Sequence, residues 1–219
     1  MRIVITGGPA SEPIDSVRFI TNQSTGELAV KLARKFSAAG HNVELFLGRS
    51  ASCRLETARY FQTNEDLHRS LREVAERDRV EVVLHAAALS DFGVAQVMVS
   101  GRISAAAKIS SDAESIELRL VPKPKLICRL RDLFASAYLI GWKFELEGTP
   151  TDAVQKGMEQ IRVNRTDACV VNGSAFGPGF GLCTSQGFVR TFPTKDALSD
   201  WLVETVSWGA LLGGGKTEP

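Results

Sequence analysis

Histidine, tyrosine and cysteine are all scarce here, with 3 His, 2 Tyr and 4 Cys in 219 residues. Cys53, Cys128, Cys169 and Cys183 are scattered without C-x-x-C spacing. Isolated cysteines of this kind are commonly small core residues, so neither a disulfide framework nor a metal centre is expected. His41, His68 and His85 share no ligand spacing either, and no metal ligands are assigned. His41 falls in a helix-to-strand turn, His68 on a charged helix, and His85 in an apolar run that suits a core or strand-end histidine.

Excess charge is missing too. The 26 basic and 25 acidic residues leave a net charge of +1, which removes the electrostatic footprint that nucleic acid or an anionic membrane surface would select. No apolar run approaches the ~20 residues needed to span a bilayer. The chain enters a strand directly, without the charged and apolar regions of a signal peptide. The expectation is a soluble, cytoplasmic protein. Internal repeats and compositional breaks are also absent, so residues 1–208 read as one domain and the glycine-rich 209–219 as a flexible tail.

What is present begins at Arg2–Ala29, RIVITGGPASEPIDSVRFITNQSTGELA. It reads as an apolar strand, a glycine turn, a long polar loop and the start of a helix. Strand–turn–helix units place ligands at the carboxyl end of the strand, facing main-chain N–H groups and the helix N-terminus. The loop is about fifteen residues long between Gly8 and Ser24, where strand-to-helix loops ordinarily take ~2–6. Carrying Glu12, Asp15, Arg18, Asn22 and Ser24, it reads as a site and not a spacer.

Beyond it, Leu28, Leu32 and Phe36 space a helix over 26–39, and Gly40 ends it. A strand at 43–47, a helix through Leu67, Leu71 and Val74, and a strand at 80–88 follow. Such βαβ alternation predicts a parallel sheet with right-handed crossovers. Residues 92–121 break the pattern: β-like runs at 94–99 and 115–121 flank GRISAAAKISSDA, giving a β excursion over 93–121 that serves as a flap, a dimerisation arm, or both. Alternation resumes with a helix at 125–134, a strand at 137–142, and a helix at 151–162 capped by Thr151 and Asp152. A strand at 168–171, a hairpin around Ser185–Gly187 and a last helix at 195–208 complete the chain. The fold expected is α/β, a doubly wound, Rossmann-like, mostly parallel sheet with a β excursion.

ITGGPA lacks a complete G-x-G-x-x-G, and the second strand ends in Gly48, Arg49 and Ser50 instead of an acid for a ribose. Arg49 suits a 2′-phosphate, which leaves an NADP-dependent reductase as a rival. A Tyr-x-x-x-Lys pair is missing, since Tyr60 precedes Asn64 and Tyr138 precedes Trp142, and that weakens the rival.

The loop PIDSVRFITNQSTGELA resembles the signature of the phosphopantothenate–cysteine ligase family, EPID-x-VR-[FY]-[IL]-[ST]-N-x-SSG. HAAALSDF is similar to that family's AAAV-x-DY/F, AAAKISSD to its KIKK motif, IGWKFE to its VGFAAE, and DACVVNGSAFGPGFG to its DLIVANDV…GFG. The likeness spans about residues 2–206. It implies a ligase of coenzyme A biosynthesis that joins cysteine to 4′-phosphopantothenate through an acyl-nucleotidylate. CTP or ATP would be the co-substrate and Mg²⁺ the required ion, with a homodimer as the assembly. On this resemblance Asn22, Arg18 and Lys108 are the catalytic residues. Gly7, Gly8, Ala88, Asp91, Lys108, Lys123, Trp142 and Phe180 would bind nucleotide. Arg18, Asn22, Ser24, Thr25 and Gly26 would bind the acid and its phosphate. Nothing resembles the family's flavin-dependent decarboxylase partner domain, so no flavin is expected.

The match has gaps. Ser110 and Ser111 stand where KIKK continues, Lys123-Pro124-Lys125 replaces an Asn-Pro-Asp turn, and Gln160 and Asn164 stand where the family carries lysines. The missing cations leave open a catalytically altered nucleotide-binding protein on the same fold, since each hydrogen bond to a charged group is worth ~1.5–3 kcal/mol.

Overall fold

A computed structural model describes residues 1–207; the expected tail and Trp208 lie outside the described residues. The elements run β1 (Arg2–Gly7), β2 (Ser11–Pro13), β3 (Phe19–Thr21), α1 (Glu27–Ala38), β4 (Asn42–Gly48), β5 (Arg59–Phe61), α2 (Asn64–Arg72) and β6 (Val82–His85). They continue through β7 (Phe92–Val99), β8 (Arg102–Ile103), β9 (Ile116–Pro122), α3 (Ile127–Leu133), β10 (Tyr138–Phe144) and α4 (Pro150–Asn164). Last come β11 (Ala168–Asn172), β12 (Phe180–Thr184), β13 (Gly187–Phe192) and α5 (Lys195–Ser207).

Eight strands form the main sheet in the order β13-β12-β11-β10-β6-β1-β4-β5. From β11 to β5 every pairing is parallel, and β12 and β13 add an antiparallel edge. This is the doubly wound order expected of such sheets, with the chain reversing direction across the sheet between β1 and β6. Both faces are buried, so the inner strands are continuously apolar. Along β1, Ile3 and Ile5 join a core with Leu32 and Phe36 of α1 and Leu198 and Leu202 of α5. Val4 faces the other way, toward Leu67 and Leu71 of α2 and Leu130 of α3. Phe36 and Leu32 are fully buried, each contributing ~1.5–3 kcal/mol of apolar burial.

Several elements differ from expectation for local reasons. Helix α4 starts earlier than the spacing suggests: Thr149 is its N-cap, Pro150 follows, and the Asp152 side chain reaches back to the Thr149 N–H at 2.7 Å. Pro at the first helical position and a carboxylate three residues after the cap make a capping box, so Asp152 belongs to Thr149 and not Thr151. The long loop is not wholly irregular, because β2 and β3 pair antiparallel within it, Ser11 opposite Thr21. Strand β5 pairs in parallel beside β4. At three residues each, these strands show no periodicity.

The excursion is a separate three-stranded antiparallel sheet, β8-β7-β9, with an irregularity between Val94 and Gln96. It exposes Phe92, Ile103, Ile116, Leu120 and Val121. Val17, Phe19 and Ile20 are likewise exposed on the β2–β3 segment. Among the described residues no helix is long and apolar enough to cross a membrane.

Candidate active site

A cleft of about 740 Å³ opens at the carboxyl ends of β1 and β6. Its floor begins at Gly7 and Gly8. A Cβ on Gly7 would collide with the Ala29 Cβ of α1, so the bare glycine lets the helix start press against the strand end. Gly8 and Gly26 both take left-handed backbone, φ 72° and 74°, which glycine adopts without steric penalty. Gly26 is the N-cap of α1 and supplies no side chain, so the helix N-terminus faces the cleft with main-chain donors beside Ser24 and Thr25. Such an end favours anions.

Opposite lies the β6 exit. Ala88 is held by two main-chain bonds, its N–H donating to Gly8 at 2.9 Å and its carbonyl accepting from Ala10 at 3.0 Å. Asn22 folds back onto this turn and donates through Nδ2 to the Ala88 and Leu89 carbonyls at 3.1 and 2.9 Å. Its Oδ1 is then left as the polar atom for a ligand. His85, at the end of β6, is buried and shares a 2.7 Å hydrogen bond between Nδ1 and Thr6 Oγ1. Burial pulls its pKa down to about 4, so the ring is neutral at physiological pH. Asp91 is exposed and pairs with Lys125 at 3.8 Å.

The far wall comes from β10 and β11: Trp142, Lys143, Phe144 and Asn172. The Trp142 indole N–H is buried without a hydrogen-bond partner. Lys195, the first residue of α5, closes this side and forms an ion pair with Glu27. Glu27 and Asp91 are the carboxylates on the lining; Lys125, Lys143 and Lys195 are its cations.

Of the residues expected from sequence, Gly7, Gly8, Asn22, Ser24, Thr25, Gly26, Ala88, Asp91 and Trp142 line the cleft. Arg18, Lys108, Lys123 and Phe180 do not. Arg18 is bound to Asp15 at 2.5 Å and to the Ile109 carbonyl at 3.2 Å. Lys108 is exposed on the excursion. Lys123 spends its ammonium on Glu12 at 2.6 Å and Glu65 at 3.0 Å; Gly93 leaves room for its stem, since a Cβ there would press on it. Loss of solvent works against its charge, but these two carboxylates prevail and raise its pKa. It braces the root of the excursion. Phe180 packs beside the α1–α5 core. Arg49, the residue that suggested NADP, is not on the lining either. Sequence reasoning missed Lys143 and Lys195. Lys143 had a signal in its place beside Trp142 at a strand end, whereas Lys195 is brought to Glu27 from 168 residues away.

The fold and cleft define a doubly wound α/β domain with a cleft at the sheet's switch point. More narrowly, the chain belongs to the DNA/pantothenate metabolism flavoprotein C-terminal domain family, which it matches over residues 1–201. It is 30% identical over 211 residues to the coenzyme A biosynthesis bifunctional protein CoaBC of Thermococcus kodakarensis, covering 94% of this chain and 50% of that protein. The chain thus spans about half the length of the curated relatives it matches. The crystal structure of the DNA/pantothenate metabolism flavoprotein from Streptococcus pneumoniae superposes with TM-score 0.80 at 25% identity, covering 95% of this chain and 99% of that one. A mutant of Cab2 in complex with phosphopantothenate-cysteine shares the fold at TM-score 0.70 and 16% identity, over 95% of this chain and 85% of that one.

Proposed function

We propose that the chain is a phosphopantothenate–cysteine ligase of coenzyme A biosynthesis, using CTP or ATP with Mg²⁺. The observation that carries the reading is Asn22, seated between the β1 glycine turn and the β6 exit and flanked by the anion-favouring start of α1. The family match over residues 1–201 and the Cab2 relative bound to phosphopantothenate-cysteine support the choice of substrates.

In this reading the carboxylate of 4′-phosphopantothenate attacks the nucleotide α-phosphorus and pyrophosphate leaves. The amine of cysteine then attacks the acyl carbon, the nucleoside monophosphate departs, and the amine proton is lost to solvent. The chain's work is to hold anions in reach of one another. Ser24, Thr25 and Gly26 receive phosphate at the helix start, Asp91 and Trp142 hold the nucleoside, and Asn22 Oδ1 accepts a hydrogen bond from the incoming amine. Magnesium binds through one or two carboxylates together with substrate phosphates, and Asp91 and Glu27 are the cleft carboxylates that could complete such a shell.

Arg18 and Lys108 act from the edge of the site, carried by the Asp15 loop and the excursion. We assign the excursion and the β2–β3 segment to a homodimer contact, because their exposed apolar side chains gather on neighbouring elements. The 1–208 unit acts as one ligase domain, with no flavin of its own.

The test is pyrophosphate release from 4′-phosphopantothenate, cysteine, Mg²⁺ and either nucleotide, with the amide product followed by mass spectrometry. Product with one or both nucleotides is expected. Folded protein that yields no product with either would overturn the reading, and nucleotide binding without turnover would favour the altered binding protein.

A further inference from the structure

Each cation on the cleft wall is already engaged: Lys125 with Asp91, Lys195 with Glu27, and Lys143 with Glu145 at 2.9 Å. They differ in what they would leave behind. Glu27 has Lys195 as its ion-pair partner among the described residues, and Asp91 has Lys125. Glu145, with its side chain largely buried, has two: Lys143 on Oε1 and Lys156 of α4 on Oε2 at 2.5 Å. The Glu27 and Asp91 side chains are exposed, so water takes over when their lysines leave. A buried carboxylate that loses its sole cation is costly, but Glu145 keeps Lys156. Lys143 can therefore leave Glu145 without stranding a buried charge.

Its position suits a ligand. On β10, Gly141 and Lys143 share a face, because side chains alternate. A Cβ on Gly141 would collide with Gln160 Nε2 of α4, so that glycine admits Gln160 against the strand. Lys143 emerges next above it at the carboxyl end, between Trp142 and Phe144. Gln160 is neutral and Lys156 is not on the lining, so the charge in this corner of the cleft is Lys143.

We propose that Lys143 is the polyphosphate-binding lysine of this cleft, and that it reaches a nucleotide by exchanging Glu145 for a phosphate oxygen while Lys156 keeps Glu145. The inference rests on the nucleotide-dependent reading above and adds the residue that grips the phosphate tail. Lys156 and Lys143 together hold the Glu145 carboxyl below its usual range, against the opposing effect of burial.

The test is calorimetric titration of ATP and CTP, each against its monophosphate, in Mg²⁺ buffer, with folding of every variant checked by circular dichroism. Lys143→Ala should weaken triphosphate binding by about ten- to a hundredfold and leave monophosphate binding nearly unchanged. Lys156→Ala should also weaken triphosphate binding, by pinning Lys143 on Glu145, and Glu145→Gln should strengthen it. Equal losses for tri- and monophosphate with Lys143→Ala, or no loss, would overturn the inference while leaving the ligase reading standing. A wild-type protein that binds neither triphosphate would overturn both.

Discussion

Asp15 Oδ2 accepts the backbone N–H of Ile109 at 3.1 Å, joining the signature loop to the excursion across 94 positions of sequence. The same carboxylate accepts the Val17 and Arg18 N–H groups and the Arg18 guanidinium. Its side chain is fully shielded from solvent. Burial opposes its charge, yet the three main-chain donors and Arg18 outweigh that and hold the carboxyl well below the usual carboxylate range. Ser16 N–H adds a bond to the Ala107 carbonyl at 2.9 Å, so Lys108 sits between two anchored neighbours.

Asp15→Ala should therefore loosen the excursion rather than unfold the sheet. Amide exchange at Ile109 should accelerate by roughly tenfold or more, since local opening no longer breaks a charged acceptor, while β1 and β6 amides keep their protection. Ligase turnover should fall with it. Unchanged exchange at Ile109 would show that other contacts hold the segment.

His85 gives the pH signature. Its folded pKa of about 4 lies below the ordinary 6.5, so the unfolded chain binds the extra proton. Its contribution to stability is present above pH 6.5 and is lost as pH falls toward 4, by on the order of 3 kcal/mol. Urea unfolding across that window should show wild type losing stability more steeply than His85→Gln. Parallel slopes would assign the acid sensitivity to other groups.

Gly7→Ala should cost about 1–3 kcal/mol through overpacking against Ala29. Because the collision is with one methyl group, the double variant Gly7→Ala, Ala29→Gly should recover part of the loss, less what a glycine costs within a helix. Thermal melts of the two single variants and the double variant read this directly. A double variant no better than the sum of its parts would mean that the contact is not specific.

The sequence made the parallel core legible because buried strands and amphipathic helices carry long apolar patterns, as in Ile3–Ile5 or Leu67 and Leu71. It also placed Asn22 and Ser24 in the loop that follows the first strand and Asp91 at the end of another, and these meet because parallel strands finish on one edge. It could not show that Lys123 would be spent on Glu12 and Glu65, since a lysine beside a proline turn reads alike whether it faces a ligand or a carboxylate. The α4 start was misplaced by the same ambiguity: Thr149 and Thr151 both precede acids, and only Pro150 distinguishes them. Cys169 and Cys183 looked isolated, yet they stand opposite each other on β11 and β12, a register that no local pattern encodes.

The pairing of α1 with α5 has a consequence for how the chain is made. Lys31 and Lys35 of α1 reach Asp196 and Asp200 of α5, and Lys195 reaches Glu27. During synthesis, α1 leaves the ribosome more than 160 residues before α5, and the apolar stripe through Leu32 and Phe36 waits uncovered by Leu198 and Leu202. The nascent chain can assemble β1, β4 and β6 but cannot seal this face until its last described helix emerges. Translation order thus makes the cleft a late event, complete only when Lys195 arrives beside the start of α1.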